Sequence, residues 1–261
     1  MKTAGTYIQP GRASHSSRRI QLDGIRAIGI LIIIMGHLHT FGLHVEEQWG
    51  NYIFFVLTGF VLAAPWEDGS EKKFLSPVYI AGFYFRRIWR IMPMFIAATL
   101  FAKIIQPELS ITDHLLFINP QGSSWYLQDV MLFYLIWPAI ALIIYMFKRV
   151  LRCGNGVIAF LVAVTVLTNM HFLILRFNMI ASDALHVANV DLILWGTCFG
   201  YLAKTDLFKK IWANKLTGIA ADITAVIATV CIFLSPVTRV GNNSDFFRCT
   251  ITSALLIFCT Y

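Results

Sequence analysis

Apolar residues in this chain come in long blocks, without the spaced pattern of a helix or strand that turns one face to water. An α-helix needs about 20 largely apolar residues to cross a bilayer. Blocks of that kind fall at residues 24–44, 51–66, 82–105, 125–147, 155–175, 185–203, 216–236 and 250–261. The pattern predicts an all-α, polytopic transmembrane helix bundle of about eight spans. It reads as a single domain over residues 1–261, with a polar, basic segment at 1–22. The last block meets the end of the chain too soon to cross, so the domain is expected to be incomplete at its C-terminus. Residues 106–124 form the longest outer loop; they carry no Lys or Arg, and their apolar patch is expected to lie on the membrane surface or fold back into the bundle.

Charge orients these blocks. Lys2, Arg12, Arg18, Arg19 and Arg26 precede or open the first block, and Lys72, Lys73, Arg86, Arg87 and Arg90 follow the second. Lys148, Arg149 and Arg152 follow the fourth, and Lys204, Lys209, Lys210 and Lys215 follow the sixth. The opposite side receives only Lys103, Arg176, Arg239 and Arg248. The positive-inside rule then puts the N-terminus and the four basic segments in the cytoplasm. Composition agrees: 57% of residues are hydrophobic and 13% charged, against about 25% charged in a soluble domain. A soluble enzyme, a disordered chain and a nucleic-acid-binding domain are disfavoured, and the net charge of +7 is a matter of membrane topology. The partner is a lipid bilayer, not a nucleic acid. No cleavable signal peptide is evident, so the first span is expected to serve as its own insertion signal. Cys153, Cys198, Cys231, Cys249 and Cys259 have no paired spacing. They read as small apolar residues, and no metal site is expected.

Polar groups at membrane depth are costly and mark functional sites. In the first block, Arg26 and His37 are separated by 11 positions, which places them about 20° apart on the helix and roughly 16 Å apart along its axis. Asp23 lies one turn before Arg26 and His44 two turns beyond His37, whereas His39 points elsewhere. Gly36 beside His37, with Gly29 two turns earlier, allows close approach by a partner. A histidine of ordinary pKa is suited to general-base work or to a transient acyl-imidazole. In the third block Arg87 and Arg90 are one turn apart, and two guanidinium forks at the cytoplasmic boundary suit a phosphate-bearing ligand. Pro93 follows and is expected to kink that helix. The plainer readings are interfacial anchoring for the arginines, with Arg86 among the anchors, and structural hydrogen bonding for His39 and His44.

Four segments then stand in a recognisable order. Leu22–Asp23–Gly24–Ile25–Arg26–Ala27 with His37 resembles an "LDGLRA … H" opening, and Phe54–Phe55–Val56–Leu57–Thr58–Gly59–Phe60 resembles "FFVLSGF". Arg87–Ile88–Trp89–Arg90–Ile91–Met92–Pro93 resembles "RRxxRIxP". Trp125–Tyr126–Leu127 through Phe133–Tyr134–Leu135–Ile136–Trp137–Pro138 resembles "WSLxVEEQFYLLWP". Together these are similar to the membrane-bound acyltransferase-3 family of integral membrane O-acyltransferases. The paired glutamates of that family's fourth block align with Val130 and Met131, leaving Asp129 as the nearest acid. Family domains run to about ten spans of bilayer length.

The resemblance implies transfer of an acyl group, usually acetyl, from cytoplasmic acyl-coenzyme A to a carbohydrate hydroxyl at or beyond the outer face. Acetyl-CoA would be the co-substrate and no metal would take part. The acceptor would be a lipid-linked or surface glycan such as O-antigen, capsule or exopolysaccharide, and the location the bacterial cytoplasmic (inner) membrane. On this resemblance His37 and Asp23 are the catalytic pair: His37 acts as general base or acyl carrier, and Asp23 orients Arg26. Arg26, Arg87 and Arg90 bind the donor's phosphates, and Trp125 and Tyr134 belong to the substrate channel. A catalytically inactive scaffold and a secondary transporter are the alternatives. The missing glutamates favour the first, and the lack of repeats or paired broken helices weighs against the second.

Overall fold

The computed structural model describes residues 13–38, 48–63, 70–116, 124–177 and 185–234. All regular structure in these residues is helical, as hydrocarbon demands, because a helix satisfies every backbone N–H and C=O within its own segment. The helices are α1 (Ala13–Leu38), α2 (Gln48–Ala63), a 3-10 helix (Ser70–Leu75) and α3 (Pro77–Ile105). They continue with α4 (Ile111–Leu115), α5 (Ser124–Val150), α6 (Asn155–Phe177), α7 (Leu185–Leu202), α8 (Asp206–Trp212) and α9 (Lys215–Leu234). The block at 250–261 lies outside the described residues. α3 and the Tyr126–Val150 stretch of α5 are each long and apolar enough to cross a bilayer, while Gln48–Ala63, Asn155–Val166 and Val190–Leu202 are apolar but shorter.

Two element starts differ from the sequence expectation. α1 begins at Ala13 instead of near residue 24, taking the second half of the basic N-terminal segment into the same helix. Helical hydrogen bonds are local and indifferent to the change from polar to apolar surroundings, so hydropathy marks a membrane boundary and not a helix end. α3 likewise opens at Pro77, where a missing N–H costs nothing at the first helical position. It runs on through Pro93, and α5 through Pro138.

The chain groups into two compact units, residues 1–57 with 206–261, and residues 58–205. In the first unit, Ile25, Gly29, Ile32 and Gly36 are buried and mark one face of α1 at the i, i+4, i+7 spacing of a helix. Gly29 lies against α2: a Cβ there would stand 3.1 Å from the Phe54 ring, and one on Gly50 would run into Ile33 and the Gly29 carbonyl. Lipid tails offer helices no hydrophobic reward for associating, so close backbone approach at small residues supplies the packing energy.

In the second unit the glycine of the Phe54–Phe60 segment does the same work. A Cβ on Gly59 would collide with the Ile193 carbonyl of α7. Thr197, fully buried, closes the crossing with its hydroxyl 3.1 Å from the Ile193 carbonyl and 3.4 Å from that of Gly59. Cys198 ties α7 to α6 through its Sγ, 3.2 Å from the Ala159 carbonyl. The described part of the outer loop folds back onto α3. Lys103 donates to the Pro107 and Leu109 carbonyls, and His114 stacks on Phe95 with ring centroids 5.3 Å apart. At the other end, the turn after α5 holds Arg152 in the left-handed region at φ 51°.

Candidate functional site

The predicted residues fall in two places. On α1, Asp23 and Arg26 form an ion pair one turn apart, with side chains 67% and 33% exposed. His37 is exposed, and its Nδ1 lies 2.9 Å from the Ile33 carbonyl one turn back. A carbonyl can only accept, so Nδ1 is the donor in this contact. Gly36 is buried and His37 exposed, because adjacent residues are turned by about 100°. The close approach that Gly29 permits is to α2, not to a ligand at the imidazole. His39 and His44 lie outside the described residues.

In the unit of residues 58–205, Arg87 is half-buried on an aromatic seat. Its guanidinium carbon lies 5.6 Å from the Phe83 ring centroid and 5.0 Å from that of Tyr134. Tyr134 is buried and meets Phe83 edge-on at 6.3 Å. The structure therefore brings together Arg87 and Tyr134, residues of the third and fourth sequence blocks. A guanidinium that rests its face on aromatic rings keeps its rim of N–H donors for an anion, which fits the phosphate groups of a coenzyme A donor. Arg90 is exposed one turn on, and Arg86 leans on Tyr79 at 5.8 Å. The side chain of Trp125 lies outside the described residues. Its neighbour Tyr126, which the sequence reading quoted without a role, shares a hydrogen bond with Thr58 of the second block. Asp129 is almost fully buried at 2% exposure, and Val130, aligned with one of the family glutamates, is buried beside it.

Sequence reasoning missed a second charged cluster. Glu71, on the 3-10 helix, accepts hydrogen bonds at Oε1 from Lys148 Nζ at 2.8 Å and from the Tyr201 hydroxyl at 3.0 Å. The Glu71 side chain is 3% exposed and that of Lys148 14%. Both Lys148 and Lys204 place their ammonium groups against the Tyr201 ring, 4.9 and 4.8 Å from its centroid. Burial pushes the Glu71 carboxyl up, but the Lys148 hydrogen bond, the backbone, the Lys148 charge and the Tyr201 hydroxyl outweigh it and leave the group below the ordinary glutamate value. These residues come from three separate connections, and no local motif pairs them. In the sequence Glu71 is one acid of a polar loop, and the lysines are counted only as topology signals.

A strongly apolar chain whose regular structure, among the described residues, is all helical is a helical membrane protein. Residues 19–261 match the family model described as an acyltransferase domain, and the chain belongs to the membrane-associated acyltransferase-3 family. No curated protein and no solved structure matches it.

Proposed function

We propose that the protein is a multi-pass O-acyltransferase of the bacterial inner membrane, with its N-terminus in the cytoplasm and about eight spans over the chain. It takes an acetyl group from cytoplasmic acetyl-CoA and delivers it to a hydroxyl of a lipid-linked or surface carbohydrate. The observation that carries this reading is the His37 imidazole, exposed on α1 with its Nδ1 2.9 Å from the Ile33 carbonyl. It lies on the same helix stripe as Arg26, roughly 16 Å along the axis. In the reaction Nε2 takes the proton of the acceptor hydroxyl, the oxygen bonds to the thioester carbon, and the carbon–sulfur bond breaks. The proton then passes to the departing coenzyme A thiolate. Arg26, steadied by Asp23, and Arg87 and Arg90 hold the donor's phosphates, and Trp125 and Tyr134 line the path of the substrate.

The test is transfer of radiolabel from acetyl-CoA to glycan in membrane vesicles, wild type against His37→Ala. Label that enters glycan in the wild type and is lost in the variant, at equal protein level, supports the assignment. Equal incorporation by both removes His37 from the chemistry.

A further inference from the structure

The buried ion pair at Glu71 and the arginine seat share one short element. In a 3-10 helix, residues three apart eclipse one another, so Glu71 and Phe74 project from the same side of Ser70–Leu75, and both are buried at 2% and 1% exposure. Glu71 fixes this helix to the end of α5 through Lys148 and to the end of α7 through Tyr201. Phe74 packs edge-on against Tyr79 at 5.2 Å and Phe83 at 5.5 Å. Those two rings carry the guanidinium groups of Arg86 and Arg87. The carboxylate is thus linked to Arg87 through the backbone of the 3-10 helix and then through packed rings.

We infer that Glu71 is a positioning residue for Arg87: anchored by Lys148 and Tyr201, it holds Phe74 beneath Phe83 and so fixes the guanidinium that receives the donor's phosphates. This rests on the acyl-CoA reading for the identity of the ligand but not for the seat itself. A seat of this kind affects donor binding and leaves the chemistry at His37 alone. The KM for acetyl-CoA and kcat should therefore respond differently.

Two measurements on the full-length protein test it. The first is the rate at which phenylglyoxal modifies Arg87, followed by peptide mass spectrometry, with Arg26 as internal control. Glu71→Gln, or the gentler Tyr201→Phe where the first variant fails to accumulate, should speed modification of Arg87 by about threefold, the factor expected when a cation–π contact is lost. An unchanged rate overturns the proposal. The second is steady-state kinetics in vesicles. Glu71→Gln should raise the KM for acetyl-CoA by about tenfold with kcat within twofold, and should add nothing further in an Arg87→Ala background. Equal effects with and without Arg87 would mean that Glu71 acts elsewhere, which also overturns it. Wild-type vesicles that turn over no acyl-CoA would overturn the donor reading alone, because the labelling rate still decides the seat.

Discussion

The α1 stripe and the Arg87 seat hold their cations by opposite means. On α1 the ion pair of Asp23 and Arg26 is exposed, and the imidazole of His37 bonds to its own helix. Both of these contacts lie within one helix. Arg87 is placed by rings from α3 and α5, which rest on a 3-10 helix that Glu71 holds against the ends of α5 and α7. The first arrangement is chemically open and conformationally cheap. The second is half-buried on a buried foundation and depends on contacts far apart in sequence. The comparison teaches that one helix can place a group by its pitch alone, while a group seated on rings from several elements needs a packed foundation.

The largest expected effect separates the two regions by function. His37→Gln keeps the size of the side chain but removes the base, and should lower kcat by about a hundredfold to ten-thousandfold, with the thermal unfolding midpoint in detergent unchanged. Next comes the foundation of the seat. Lys148→Ala leaves the Glu71 carboxylate buried with its main countercharge gone, and should destabilise the protein by about 3–5 kcal/mol in thermal or denaturant unfolding. A loss below 1 kcal/mol would show that the pair is not buried in the working protein. The helix crossing at Gly59 follows: Gly59→Ala drives a methyl group into the Ile193 carbonyl and should cost about 3 kcal/mol by the same measurement.

The two carboxylates sharpen the contrast at smaller amplitude. Because the Glu71 carboxyl is held below its ordinary value in the fold, the unfolded chain binds its proton first as the solution is acidified. Its contribution is present above the ordinary carboxylate value of about 4.3 and is lost as pH falls through the lower folded value. Glu71→Gln should flatten that acid limb of the stability profile. Asp23→Asn, at an exposed pair one turn from its partner, should change stability by less than about 1 kcal/mol, and any effect should appear in donor binding instead.

What could be read from the sequence follows the same division. Helix content, the α1 stripe and the four family segments were legible, because they depend on hydropathy, on 100° steps and on short motifs. The start of α1 at Ala13 was not, since a helix can run on through the point where hydropathy changes. Gly59 was read only as part of its segment, and nothing near its partner Ile193 announces a crossing. Glu71 was invisible for a stronger reason. A polar loop acid, a lysine at a helix end and a tyrosine in an apolar run become one site only after the helices between them have folded.

That buried ion pair also constrains how the chain can thread a membrane. Glu71, Lys148 and Tyr201 meet within hydrogen-bond distance, so all three stand at one level of any membrane the helices cross. In a chain threaded with that cluster at one face of the membrane, the crossings between Glu71 and Lys148, and again between Lys148 and Tyr201, must be even in number. Any insertion route that leaves one helix of either pair behind cannot close the contact. A correctly threaded chain thus carries its own check of parity, in the form of a carboxylate that is neutralised only when the count comes out right.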